Sequence, residues 1–409
     1  MKYQDIILSF LVMGKLGQAL IPSQAWQRHP PLAKRFTWNS GLSLASNDNA
    51  LDELSEERKA SLFQYLLRDL QVEGVPLLEV DADELEVLQV AMWTTISQLV
   101  PMGDKACVVL EEISVDKLRK FVDDFMLIKS EQRILSAVPD LEKVNLSLVG
   151  KGVGPAILID VVDEAKRDDD STINKDTEME PAITASFKQF LNRMISRTDV
   201  YPYKKTDAST AFKVCHQKDV PTILSAFWNA VCELRVSNEE ALGTTYLLFP
   251  GIEDHEMFTA VSEIISRSLC LFGNDQEFKL VHYFPEYDRE KVFPSGAYAL
   301  GHIPPLEWLQ KMNGGAGAGD ASASVKLADV DISLSNYQRR SPVAAVGIKR
   351  ASLVQTENAA SKDVTMENGQ VVVPSEEVVA YTENAKFLAA QGEAKLEEAM
   401  AHEKSTITK

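Results

Sequence analysis

An α+β fold of two domains, each a mixed sheet with flanking helices, is predicted by three observations. Stretches with apolar residues at helical spacing alternate with short β-rich runs. A charged stretch without apolar periodicity, at 165–181, divides them. The chain has 409 residues, more than one core usually serves, and 45% of them are hydrophobic, enough to fill two cores. The expected divisions are a leader at 1–47, a first domain at 48–164, the acidic linker at 165–181, a second domain at 182–355 and a polar, disordered tail at 356–409.

In the first domain, Leu54, Leu62, Leu66, Leu67 and Leu70 recur at helical spacing and predict a helix over 51–71. Val75 to Val80 reads as a brief extended piece. A second helix is expected over 82–100, with Leu85, Leu88, Trp93, Ile96 and Leu99 apolar, then a strand at 106–110. A third helix over 114–129 puts Val115, Leu118, Phe121, Val122 and Phe125 on one face, and a short helix follows at 131–138. Residues 143–149 and 156–162 read as strands joined by Gly150-Lys151-Gly152-Val153-Gly154-Pro155. A phosphate cradle leads from a strand into a helix, whose amides meet the anion. Here Pro155 and a β-rich run follow, so a hairpin turn is favoured over a phosphate contact from Lys151.

The Asp168-Asp169-Asp170 run in the linker lacks the Gly and terminal Glu of a calcium-binding hand and reads as a solvated connector. In the second domain, helices are expected over 182–197, 220–236 and 253–272, with a short helical piece at 306–312. Strands are expected at 244–249 and 278–284, and a flexible Gly-rich insertion at 314–324. The tail carries one helical stretch, at 382–404, expected to stay outside the core.

The leader has an apolar run, Ile6 to Met13, too short to span a bilayer, then Arg- and Ser-containing sequence with Asp5 its one acid. Gly17-Gln18-Ala19-Leu20-Ile21-Pro22 resembles the junction of two-part plastid leaders in algae with complex plastids. That resemblance implies import into the plastid (chloroplast) after a signal peptide and a transit peptide are removed; a secretory route is the alternative. Residues 1–47 carry a net charge of +4 and the remainder −22. So acidic a body is repelled by phosphate backbones, and no dense Lys/Arg run offsets this, so nucleic acid is not expected as a partner. No run after the leader reaches membrane-spanning length. The four cysteines form no Cys-x-x-Cys pair. Cys107, Cys232 and Cys270 lie on apolar faces and are expected to be buried as small hydrophobes. Cys215 and His216, as sequence neighbours, are poorly placed for a catalytic pair.

Tyr201-Pro202-Tyr203, Leu247-Leu248-Phe249-Pro250, Phe284-Pro285-Glu286-Tyr287 and Asn336-Tyr337-Gln338-Arg339-Arg340-Ser341-Pro342 occur in that order. Together they resemble the family called domain of unknown function 1415, over residues 185–353. That family has a Cys-Pro-Phe segment, a Leu-Leu-x-x-Pro strand end, a Phe-His-Pro-Asp-Tyr strand end and an Asn-Tyr-x-x-Arg-Ser-Pro segment before a final helix. Tyr201 stands where its Cys is expected and Phe284 where its His is expected. Neither a phenol nor a phenyl ring replaces a thiol nucleophile or an imidazole base. The resemblance implies a fold and no reaction.

Asn336, Tyr337, Arg339, Arg340 and Ser341 form the candidate ligand-binding set, because a guanidinium offers a planar fork to carboxylate or phosphate. The competing reading has these arginines capping a helix or bridging to Glu286 or Asp288. His282 and Glu286 are the candidate catalytic residues, His282 as a base two residues before the lost position. Glu286 and Asp288 also admit a solvated-turn reading. No motif names a cofactor or a metal. The expectation is a plastid binding or interaction protein without a complete catalytic set, its partner a small anionic ligand or another protein. The alternative is a hydrolase or transferase acting on a small anionic ligand held by Arg340.

Overall fold

Helix α1 (Glu56–Val72) begins after extended Ser55, with Glu56 and Glu57 in its first turn, where acids favour the helix dipole. The computed structural model describes residues 54–80, 84–110, 112–162, 173–198, 202, 209–272, 274–292, 300–305, 332–353, 364–365, 371–373 and 375–407. The leader, the insertion at 314–324 and the helical piece expected at 306–312 lie outside the described residues. The α1 side chains Phe63 and Leu67 form a core with Val75, Cys107, Val109, Val149, Val153 and Ala156. Each such apolar side chain contributes about 1.5–3 kcal/mol on burial.

That core covers a mixed sheet of order β1-β2-β4-β3. β1 (Leu77–Val80) runs parallel to β2 (Lys105–Leu110), with Leu77 opposite Cys107, and α2 (Leu85–Leu99) makes the crossover. Helices α3 (Val115–Lys129) and α4 (Gln132–Ala137) precede β3 (Val144–Leu148) and β4 (Ala156–Val161). Val162 N–H donates to the Lys143 carbonyl at 3.0 Å, which closes β3 and β4 as a hairpin. Leu110 N–H to the Pro155 carbonyl and Val161 N–H to the Asp104 carbonyl pair β4 antiparallel to β2. The Gly-rich stretch is thus the hairpin connection.

The second sheet repeats this plan. Helix α5 (Ile173–Thr198) leads to β5 (Thr210–Val214), α6 (Val220–Val236), β6 (Thr244–Phe249), α7 (His255–Leu271) and β7 (Phe278–Tyr283). After a long connection comes β8 (Ala344–Arg350). The order is β5-β6-β8-β7, with β5 parallel to β6 and β8 antiparallel to both its neighbours. Order and directions match the first sheet strand for strand, and the helices fall at the same steps. An echo survives in sequence: Ala91-Met92-Trp93 of α2 against Ala226-Phe227-Trp228 of α6, then Ile96 and Leu99 against Val231 and Leu234. The two four-stranded sheets and their helices thus repeat one α-β-α-β-α-β-β plan, the first with α4 in addition.

The described residues group into two compact units, one from those within 54–80, 106–120 and 147–158, the other from those within 84–105, 121–146 and 159–407. This grouping differs from a linear division at the linker. The reason is α2, where Leu88, Met92, Trp93, Ile96 and Leu99 are all buried. A helix apolar nearly all round needs cover on several sides, and α2 packs along α6, with Thr94 Oγ1 2.7 Å from Ser225 Oγ.

Three local expectations change. Residues 173–181, read as linker, form the first turns of α5, which carries Pro181 inside it. The tail forms a short pair, β9 (Val364–Thr365) with β10 (Val371–Val373), and two helices, α10 (Ser375–Gln391) and α11 (Glu393–Ser405). Tyr381, Ala385, Leu388 and Leu396 are buried, so these helices pack on the fold rather than standing clear of it. Half of their apolar residues are alanine, which hid the face that is buried. Strand β8, unforeseen, is central, where the family resemblance had implied a helix. It contains Gly347, whose place is explained by crowding: a Cβ there would lie 2.8 Å from the Tyr246 ring. Among the described residues, no helix is long and apolar enough to cross a membrane.

Candidate functional site

The two repeats differ most between their last strands. In the first repeat β3 and β4 are joined by residues 149–155; in the second, β7 and β8 are joined by residues 284–343. This longer connection supplies almost the whole candidate set. Its described parts include two short helices, α8 (Arg289–Val292) and α9 (Ile332–Ser335), and a single 3-10 turn at Asn336–Gln338.

Backbone bonds fix the Asn336–Ser341 segment against the end of β7. Phe284 N–H donates to the Arg339 carbonyl at 3.0 Å, and Ser341 N–H to the Phe284 carbonyl at 3.4 Å. Arg339 and Arg340 N–H both converge on the Asn336 carbonyl, while Asn336 Oδ1 accepts Arg289 N–H at 3.0 Å. Ser341 Oγ donates to the Val343 carbonyl at 2.5 Å and is fully buried. Asn336 and Ser341 therefore hold the turn together and are not presented to a ligand.

The two arginines part company. Arg339 is fully buried, its guanidinium 5.7 Å from the Tyr283 ring and 5.4 Å from the Tyr381 ring. It donates to the Gln338 carbonyl at 3.3 Å and the Tyr381 hydroxyl at 3.2 Å. Arg340 is half-buried. Its Nε donates to the Tyr287 carbonyl at 3.2 Å, and its guanidinium lies 4.4 Å over the Tyr337 ring. Tyr337 itself donates to Glu397 Oε1 of α11 at 3.4 Å. On β8, the Lys349 ammonium lies 5.6 Å from the Tyr246 ring; burial, with Arg339 nearby, brings its pKa down to about 8.

His282 is sealed on the other face of the sheet, as strand alternation requires for the neighbour of Tyr283. Its Nε2 is 3.0 Å from Ser266 Oγ of α7, and its ring stacks on His302 at 4.6 Å. The Tyr287 hydroxyl accepts Ile303 N–H and lies within hydrogen-bond distance, 3.2 Å, of His302 Nδ1. Gly301 (φ +83°) permits the close cover: a Cβ there would lie 2.7 Å from His282 Cδ2. Burial pushes the His282 pKa down to about 3 and the His302 pKa well below its usual value. Both rings are neutral at neutral pH. An imidazole so hard to protonate is a poor general base.

Glu286 is exposed on the turn after β7. His282, Glu286 and Arg340 are therefore not gathered around one open cleft: the first is enclosed, the second exposed and the third half-buried. Three of the thiols are equally unsuited to nucleophilic work. Burial raises Cys107, Cys215 and Cys232 to about 12. Cys270, expected to be buried, is exposed in the last turn of α7, and Cys232 is only half-buried. Cys215, from a polar loop, is buried. Its Sγ turns to Gln217 at 3.5 Å, whereas His216 lies 3.5 Å from Glu180. Among the described residues, no group of three His, Cys, Asp or Glu side chains could hold a metal ion.

Sequence reasoning missed Tyr287, Ser266, His302, Tyr381 and Glu397. Tyr287 stood inside a quoted motif; the others come from distant segments with no local pattern to expose them. No protein-family model, no curated protein and no solved structure matches this chain.

Proposed function

We propose that this chain is a binding protein of the plastid, not an enzyme, and that it takes a small anion at the Asn336–Ser341 segment. The observation that carries the reading is the contrast between its cations and its base. Arg340 is half-exposed and held by the Tyr337 ring and the Tyr287 carbonyl, so its fork is aligned before any ligand arrives. A pre-aligned guanidinium loses little freedom on binding a carboxylate or phosphate. His282, by contrast, is enclosed and neutral. The internal repeat supports the same reading: one unit keeps a minimal β3–β4 turn, and only the other carries the elaborated connection.

The test is titration with inorganic phosphate. Arg340→Ala should weaken phosphate binding at least tenfold, in line with loss of a charge-assisted contact of about 1.5–3 kcal/mol. Equal affinity of the two proteins would remove Arg340 from the ligand.

The hydrolase or transferase reading draws on a single contact, Ser266 Oγ to His282 Nε2. Ser266 Oγ donates its one proton to the Leu300 carbonyl at 2.9 Å, which leaves His282 Nε2 the donor to Ser266, so the reading requires that carbonyl to move away and the His282 tautomer to switch.

The plastid destination rests on residues 1–47. A tagged full-length chain should enter plastids and a chain lacking 1–47 should stay in the cytosol. Secretion of the full-length form would replace the plastid with the secretory route.

A further inference from the structure

The geometry points to a regulatory contact: the C-terminal helices α10 and α11 sit on the anion-binding segment and hold it in a closed, low-affinity state. This inference rests on the ligand reading above. Four consecutive residues supply the observations. Tyr337 donates to Glu397 of α11. Gln338 Nε2 donates to the Tyr381 carbonyl of α10 at 3.4 Å. Arg339 donates to the Tyr381 hydroxyl and lies over its ring. Arg340 then lies on Tyr337. Thus a carboxylate, a main-chain carbonyl and a phenol of the tail already hold three of the side chains in the segment proposed to read an anion.

The clamp is fastened at its far end. Glu403 of α11 receives Arg193 Nε at 2.6 Å and Nη2 at 3.2 Å, a two-pronged pair with α5. Ser186 Oγ donates to the Glu403 carbonyl at 2.6 Å. Residues 351–374 separate β8 from α10. A connection of that length lets the helices leave without disturbing the central strand. Among the described side chains of these helices, the large apolar ones that are buried are Tyr381, Leu388 and Leu396. Elements held by few apolar contacts open at lower cost than the global fold. An anion that binds only the open form would compete with Glu397 and shift the population toward release.

The test uses the full chain with Arg193→Gln and Glu397→Gln together, so that both fastenings are weakened. Hydrogen exchange over 375–405 reports release, and inorganic phosphate is the probe. Accelerated exchange with phosphate binding tightened tenfold or more is the expected result, and adding Arg340→Ala should cancel the gain. Accelerated exchange without tighter binding would overturn the clamp while leaving the Arg340 comparison intact. Should exchange not accelerate, a protease site placed within 356–360 provides the second route. Helices that stay bound and protected after cleavage in 1 M salt would show them to be a permanent part of the core, which also overturns the proposal. Loss of any Arg340 effect in every form would instead strike the ligand reading.

Discussion

Lowering the pH from 7 to 5 should cost this protein about 2 kcal/mol through His282 alone, with His302 adding to the loss. In the unfolded chain both titrate near 6.5, whereas in the fold burial holds His282 near 3 and His302 well below its usual value. Below pH 6.5 the unfolded state therefore binds protons that the folded state refuses. The stability associated with the neutral rings is fully present above pH 6.5 and is lost as pH falls toward the folded values. The His282 ring contributes about 1.4 kcal/mol per pH unit, so 1.5 units below 6.5 gives about 2 kcal/mol; His302 acts in the same direction. Both side chains are almost wholly shielded, so solvent screening does not reduce the effect. Urea unfolding at the two pH values measures it. The His282→Gln, His302→Gln double variant should be weaker at pH 7 and show a much flatter pH dependence. The same slope in wild type and variant would mean that other groups set it.

Arg235→Ala should destabilise the fold by about 3–5 kcal/mol. Arg235 of α6 reaches three carboxylates: Glu84 at 2.8 Å, Glu86 at 2.5 Å and Glu277 at 2.7 Å. Glu84 and Glu277 are open to water and would lose little. Glu86 on α2 is buried, and its remaining partner is the side-chain amide of Asn274. Removing the guanidinium strands a carboxylate where water cannot reach it, and that stranding is the expensive event. The partner charge is thus what makes the arginine indispensable. Glu86→Gln in the Arg235→Ala background should recover a large part of the loss, and a double-mutant cycle in urea reads this directly. A loss under 1 kcal/mol would mean that Glu86 relaxes to solvent.

The helices of both repeats were legible because their apolar stripes are long and regular, as with Phe187, Phe190, Leu191 and Met194 on α5. The mixed α+β class followed from the alternation of those helices with β-rich runs. Strand β8 was not legible, since Ala344-Ala345-Val346-Gly347 carries little β-branched signal and owes its state to Tyr246 and Tyr283 packing across it. The helical stretch at 382–404 was legible, but its burial was not, because Ala380 and Ala385 fill space next to Tyr381 without making a recognisable stripe. The repeat was written in the sequence as two Ala-x-Trp helices, but identity elsewhere is too thin for the match to stand out. For the candidate site, the Asn-Tyr-Gln-Arg-Arg-Ser run marked the right turn. Which arginine faces solvent depended on α10, a distant element, and no local pattern could say that Arg339 would be covered and Arg340 left half-open.

The ligand reading comes down to the behaviour of one guanidinium. Side-chain NMR of arginine-labelled full-length protein during a titration with inorganic phosphate follows it residue by residue, with Arg340→Ala to assign the signal. The account predicts a saturable shift of the Arg340 resonance. An Arg340 resonance that stays still while phosphate binds elsewhere, or that shifts only linearly without saturating, would contradict it.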